Sequence, residues 1–176
     1  MPGGANLNQR HPLRLNVGFL LNKNIGYSRN FDFDIPHLLL GEDLEITRLR
    51  GSLRLTRTGQ GAYGQGKFDV LTRLDCVRCL ASFEQPLQAS ISELFTFPPD
   101  KAGDPLLAIS ESAILDLGPV LRERLVLDIP IRPVCRPDCL GLCPICGENR
   151  NEVTCSHPEA EIDPRLEVLK SLRTKS

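Results

Sequence analysis

From Leu13 to Phe97 the apolar residues recur mostly with a period of two, which predicts strands rather than helices. Leu13, Leu15, Val17, Phe19 and Leu21 are all apolar, with Arg14, Asn16 and Gly18 between them, so a half-buried strand is expected over Leu13 to Leu21. Phe31, Phe33 and Ile35, alternating with Asp32, Asp34 and Pro36, predict a second strand. A meander is expected next: Leu44 to Arg57, glycine punctuation at Gly59, Gly61, Gly64 and Gly66, Lys67 to Leu74, then Ala81 to Phe97 with Phe83, Leu87, Ala89 and Ile91 on one face. These segments assemble most economically as an antiparallel sheet.

The pattern changes after Phe97. Residues 98–105 carry three prolines and a glycine with no periodicity, and predict a loop. Leu117, Val120, Leu121 and Leu125 then share a helical face, Gly118 and Pro119 suit its cap and first turn, and Pro130 prevents continuation, so one helix should pack on the sheet. The stretch Ile131 to His157 is dense in Pro, Gly and Cys and too poor in apolar surface to bury a core of its own. Asp163-Pro164 predicts the start of a final helix bearing Leu166, Leu169 and Leu172. The expected class is α+β: an antiparallel β-meander sheet with a packed helix and a zinc-braced, Cys-rich C-terminal tail. Its expected divisions are a disordered start at 1–10, a β-rich domain with one helix at 11–130, and the zinc-binding tail with its terminal helix at 131–176.

Composition narrows the chemistry. With 176 residues, 41% of them hydrophobic, the chain is long enough to bury a core. Aromatic residues make up only 5% and Trp is absent, which disfavours a stacked-base platform for single strands. The formal net charge of -1 leaves nucleic-acid contact to a local basic face. One candidate face exists: Leu49, Leu53 and Leu55 take the odd side of a strand, which places Arg48, Arg50 and Arg54 together on the even side, with Arg57 at the strand end. It reads either as a solvated outer surface or as a phosphate-contacting stripe. Lys170, Arg173 and Lys175 near the C-terminus complement a helix dipole and need no ligand.

The cysteines carry the strongest signal. All seven, with His157, fall into pairs at metal-ligand spacing: Cys76-x2-Cys79, Cys135-x3-Cys139, Cys143-x2-Cys146 and Cys155-x-His157. Eight donors are the number that two closed tetrahedral zinc sites consume. Disulfides are disfavoured by the odd cysteine count, and Asn16, Gly18 and Asn22 break the only apolar stretch that could serve as a signal segment. No apolar run approaches membrane-spanning length, so a reduced, cytoplasmic chain is expected.

By proximity one site takes Cys143, Cys146, Cys155 and His157, the last being its weakest ligand. The other joins Cys76 and Cys79 to Cys135 and Cys139 across a long loop, whose extra closure cost of about 1.7 kcal/mol is small beside the roughly 10–16 kcal/mol of structural zinc. The alternative pools Cys135 or Cys139 with Cys143 and Cys146 around a single zinc and leaves Cys76 and Cys79 as a redox dithiol, with Arg78 favouring the thiolate. Thiolate-rich sites are closed, structural ones, and neither a phosphate-binding Gly-rich loop nor a nucleophile elbow is present, so a non-enzymatic protein is expected.

The run Cys139-Leu140-Gly141-Leu142-Cys143-Pro144-Ile145-Cys146-Gly147-Glu148-Asn149, followed by Cys155 and Asp163-Pro164-Arg165-Leu166, resembles the C-terminal signature of the YceD family of large ribosomal RNA subunit accumulation proteins. The Cys76-Val77-Arg78-Cys79 motif at a strand end matches the family's other hallmark, while Cys155-Ser156-His157 stands where a second cysteine is expected. The resemblance implies a cytoplasmic, non-enzymatic factor needed for normal levels of 23S ribosomal RNA. Its partner would be ribosomal RNA, a large-subunit ribosomal protein or an assembly factor, with no small-molecule substrate. A thiol or zinc sensor without a ribosomal role is the competing expectation.

Overall fold

The computed structural model describes residues 11–157. The expected disordered start at 1–10, the helix expected after Asp163, and Lys170, Arg173 and Lys175 lie outside the described residues. The meander is the frame of the molecule. Three long strands, β4 (Leu44–Thr58), β5 (Gly61–Asp75) and β6 (Ser82–Thr96), run antiparallel in sequence order. Two shorter strands, β2 (Ser28–Ile35) and β3 (Leu38–Leu40), lie end to end along the free edge of β4. Pro36, which cannot donate to a ladder, separates them.

One face of this sheet is buried, and its alternation changes phase inside β4. Leu44 and Ile46 are buried at even positions, whereas Leu49, Leu53 and Leu55 are buried at odd ones. The switch is a β-bulge at Thr47: Ile46 lies opposite Thr72 but Arg48 lies opposite Leu71, so one extra residue is inserted into β4. The local polar groups are satisfied there. The Thr47 hydroxyl donates to the Leu71 carbonyl at 3.2 Å, and the fully buried Thr72 hydroxyl donates to the Glu45 carbonyl at 2.7 Å. Phe68, Val70, Leu87, Ala89, Ile91 and Phe95 extend the same apolar face across β5 and β6.

The N-terminal segment departs from its expected form. Only Arg14–Asn16 is a strand, β1, paired antiparallel with β7 (Ile114–Asp116) in a separate two-stranded sheet. Residues Gly18–Leu21 instead form a short helical turn, α1. The side-chain carbonyl of Asn16 accepts the Gly18 N–H at 3.0 Å, and Leu20 and Leu21 donate to the Val17 carbonyl at 2.9 and 3.1 Å, which bends the chain out of an extended path. Leu13, Val17 and Leu20 are the buried positions. Their spacing of four and three was contained in the same apolar run that reads as a period of two.

After β6 the loop predicted over 98–105 contains a single 3-10 turn, Pro99–Lys101, and a second, Pro105–Leu107, begins at its last residue. The predicted helix is α2 (Gly118–Asp128), capped by Leu117 rather than Gly118, with Val120, Leu121 and Leu125 buried against the sheet. Asp128 at its end accepts the Gln88 backbone N–H at 2.8 Å, which satisfies a donor on the exposed edge of β6.

Candidate metal centres

The β5–β6 hairpin ends in a tight turn that carries the first cysteine pair. Cys76 and Ala81 close the ladder through a 2.9 Å backbone bond, and Leu80 donates back to the Cys76 carbonyl at 2.9 Å. The chain from Pro133 onward then docks on this turn. Val77 donates to the Pro133 carbonyl at 2.9 Å and Leu142 to the Arg78 carbonyl at 3.0 Å, which brings Cys135 and Cys139 over Cys76 and Cys79. The second cluster is local: Cys143, Cys146, Cys155 and His157 converge around the turn that begins at Cys143.

In each cluster the four donor atoms lie within 4.8 Å of one another. A metal about 2.3 Å from each sulfur requires sulfur pairs about 3.8 Å apart at tetrahedral angles. The Cys76–Cys139, Cys79–Cys135 and Cys146–Cys155 sulfur pairs are separated by 3.8, 3.7 and 3.6 Å. A disulfide would need about 2.05 Å, and all seven cysteines are free thiols. The His157 Nε2 lies 3.2 Å from the Cys146 sulfur. The donor sets therefore fit two tetrahedral metal ions, one bound by four sulfurs and one by three sulfurs and a nitrogen. This is the pairing by proximity, with Cys76 and Cys79 inside a four-donor cluster rather than apart as a dithiol.

The two turns are conformational copies. Gly147 donates to the Cys143 carbonyl at 2.9 Å just as Leu80 does to Cys76, and the residue after each second cysteine has a left-handed backbone, with φ of 77° at Gly147 and 59° at Leu80. Glycine adopts that conformation freely, whereas leucine adopts it against a steric penalty. This geometry aims amides at the first sulfur of each pair. For Cys143 the N–H groups of Cys146 and Ile145 pull the thiol down to about 6. At Cys76 burial opposes ionisation, but the amides of Cys135, Cys79 and Arg78 outweigh it and again bring the thiol to about 6. Burial and the neighbouring sulfurs of Cys79, Cys139 and Cys76 push Cys135 up to about 12, and the sulfur of Cys146, with burial, pushes Cys155 up to about 11.

The centres differ in depth. Cys76, Cys79 and Cys139 are buried in a small core of their own, separate from the main one, with the half-buried Phe83 and Val134 packed against them. In the second cluster Cys143 is buried, while Cys146 is exposed and Cys155 half-buried.

Comparison with known proteins bears directly on these two clusters. The family described as large ribosomal RNA subunit accumulation protein YceD matches residues 64–173, which contain every one of the eight donors. The chain belongs to the YceD family. An uncharacterized protein of Mycobacterium tuberculosis is 34% identical over 118 residues, covering 64% of this chain and 56% of that protein. YlbN of Bacillus subtilis is 30% identical over 101 residues, covering 56% of this chain and 59% of its own length. A maize protein described as large ribosomal RNA subunit accumulation protein YCED homolog 1, chloroplastic, is 27% identical over 139 residues, or 61% of this chain and 44% of its own. The chain thus spans about half the length of the curated relatives it matches. No solved structure matches it significantly.

The arginine stripe lies outside the part of the chain matched to YceD. Arg48, Arg50 and Arg54 are exposed on the outer face of β4, as the alternation requires. Their surroundings are mixed in charge: Arg50 pairs with Asp34 at 3.2 Å and sits opposite Asp69, and Arg54 donates to the Ser28 hydroxyl. Arg57 does not join them. It is half-buried, with its guanidinium donating to the carbonyls of Leu21, Thr58 and Gly61, and it ties α1 to the β4–β5 turn. Residues missed in the sequence include Asn151, whose amide reaches the Cys139 sulfur, and Val134, whose packing beside the first cluster no local pattern signals.

Proposed function

We propose that this protein is a non-enzymatic, cytoplasmic factor that supports accumulation of 23S ribosomal RNA and assembly of the large ribosomal subunit, with two structural zinc ions bracing its C-terminal half. Membership of the YceD family is the observation that carries this reading, together with the maize relative described as a large ribosomal RNA subunit accumulation protein homolog. Zinc is favoured by the chemistry of the donors, since sulfur-rich tetrahedral sets suit that ion and four protein donors at each centre leave no open position for a reacting water. Cys76, Cys79, Cys135 and Cys139 would hold one ion and Cys143, Cys146, Cys155 and His157 the other. When bound, each ion supplies cross-bracing and no chemistry of its own.

Among the described residues no helix is long and apolar enough to cross a membrane, which agrees with work at the ribosome. The partner would be nascent ribosomal RNA, a large-subunit ribosomal protein or an assembly factor, and Arg48, Arg50 and Arg54 are the exposed cations offered to it. The test is cross-linking in growing cells with identification of the co-purifying RNA and protein. Recovery of large-subunit components is expected, weakened when the three arginines are changed to glutamate. Recovery of no ribosomal component would overturn the reading.

A thiol or zinc sensor is the second reading, favoured by the exposed Cys146 beside the low-pKa Cys143. Release of one metal at mild oxidant, with the sheet intact and ribosome association unchanged, would support it instead.

A further inference from the structure

The two clusters are not independent pieces of chain. The loop from Gly147 to Val153 belongs to the second cluster, because it joins Cys146 to Cys155, yet it packs on the first. Arg150 donates to the Gly141 carbonyl at 2.9 Å, and Leu142 pairs with Asn149 in an isolated bridge. At the centre of this contact lies the side chain of Asn151. Its oxygen accepts the Leu140 N–H at 2.9 Å and the Arg136 guanidinium at 2.8 Å, while its nitrogen donates to the Cys139 sulfur at 3.4 Å and to the Asn149 side-chain oxygen at 2.7 Å. The amide orientation is settled by this network, since both partners of the oxygen are donors and both partners of the nitrogen are acceptors. Asn149 is itself held by a 2.7 Å bond from its own amide to Glu152 and accepts the Asn151 backbone N–H at 3.1 Å.

We infer that Asn151 couples the two metal centres: closing the second cluster sets the loop that carries this amide, and the amide then positions the Cys139 sulfur as a ligand of the first. The inference rests on the metal occupancy proposed above. Bonds to the atoms that hold a metal typically change affinity by about 10- to 100-fold. Here that bond comes from a loop whose conformation the other centre controls. Binding at the second cluster therefore tightens binding at the first, and by linkage the reverse holds by the same factor. Cys143 and Cys146 keep their turn without help from the first cluster, through the Cys143-to-Glu148 and Gly147-to-Cys143 backbone bonds of 2.8 and 2.9 Å. The second centre can therefore form while the first is empty, and its closure then sets the Asn151 loop for the first.

The experiment is titration of the full-length, reduced, metal-free protein with Co2+. The charge-transfer and visible bands of this ion distinguish a four-sulfur set from three sulfurs and a nitrogen. Replacing Cys146 and Cys155 by alanine is expected to weaken the four-sulfur centre by about 10- to 100-fold although none of its ligands is touched. Asn151→Ala should weaken it to a similar degree, while the second centre keeps the affinity it shows when the first is empty. The combined variant should show much less than the product of the two effects. Asn151→Asp retains the acceptor for Leu140 and Arg136 but loses the donor to sulfur, so it should weaken the same centre even if the alanine variant folds poorly. Unchanged four-sulfur affinity in Asn151→Asp, or effects that multiply in the combined variant, would overturn the coupling and leave two zinc sites standing. A wild-type protein that takes up no Co2+ would overturn both.

Discussion

Within each cluster the thiols have unequal acidity, and this sets how metal capture depends on pH. Cys135 and Cys155, pushed up to about 12 and 11, carry protons in the metal-free protein at neutral pH, so a metal ion must displace them. Cys76 and Cys143, drawn down to about 6, are already thiolates there. Their folded values lie below the ordinary thiol value, so their contribution to stability is present above that value and is lost as pH falls through about 6. Metal affinity should accordingly fall as pH is lowered and fall more steeply below about pH 6, where these two sulfurs also take up protons. A competition titration with a chromophoric chelator from neutral to acidic pH checks this, and a flat profile would contradict it. At the same scale, Cys139→Ala should cost one equivalent of bound metal and open the small core around Phe83 and Val134, read by elemental analysis and near-ultraviolet circular dichroism.

The elements show how much a local pattern conveys. The long strands β4, β5 and β6 were legible because each presents an apolar face over many residues, and α2 because Leu117, Val120, Leu121 and Leu125 recur at helical spacing between Pro119 and Pro130. The bulge at Thr47 had a signal too, in the shift from even Leu44 and Ile46 to odd Leu49 and Leu53, but a phase change within one run is easily averaged away. The strands β3 and β7 span three residues each, too short for a period to register. Leu53 is fully buried, and Leu53→Ala should destabilise the sheet by roughly 2–5 kcal/mol in denaturant unfolding. Leu80 makes the opposite case, since it is 67% exposed with φ of 59°. Leu80→Gly removes little buried surface and relieves a left-handed backbone costing about 1–2 kcal/mol, so unfolding with metal bound should become no easier and metal affinity should hold or rise. Weaker metal binding in that variant would show that the leucine side chain itself supports the turn.

For the whole molecule, the separation of a large apolar core from a small sulfur-lined one predicts two levels of stability. Residues Ile131 to His157 contribute nothing to the main core, so their order is expected to depend on the two clusters. Stripping metal with a chelator should leave the far-ultraviolet signature of the sheet largely intact while exposing this stretch to limited proteolysis. Global unfolding on chelation, with loss of the sheet signal, would show that the hairpin tip and the sheet form one cooperative unit. The same division separates two possible interaction surfaces, because the arginine stripe belongs to the outer face of β4 and the clusters lie at the far end of the β5–β6 hairpin. Changing Arg48, Arg50 and Arg54 to glutamate should therefore alter ribosome association without altering metal content.

The number and type of candidate metal donors, the grouping of Cys143, Cys146, Cys155 and His157, the meander and the helix were all legible in the amino-acid sequence itself. Each depends on spacing between near neighbours or on a period repeated along one element, and both are local properties of a chain. Only the tertiary structure decided that Cys135 and Cys139 close on Cys76 and Cys79, that Arg57 is a half-buried tie rather than part of a cationic face, that Leu13 to Leu21 bends after three residues of strand, and that Asn151 reaches the Cys139 sulfur. Those outcomes turn on which particular carbonyls, amides and sulfurs come within hydrogen-bond range, and a hydrogen bond has no periodicity from which it could be read in advance.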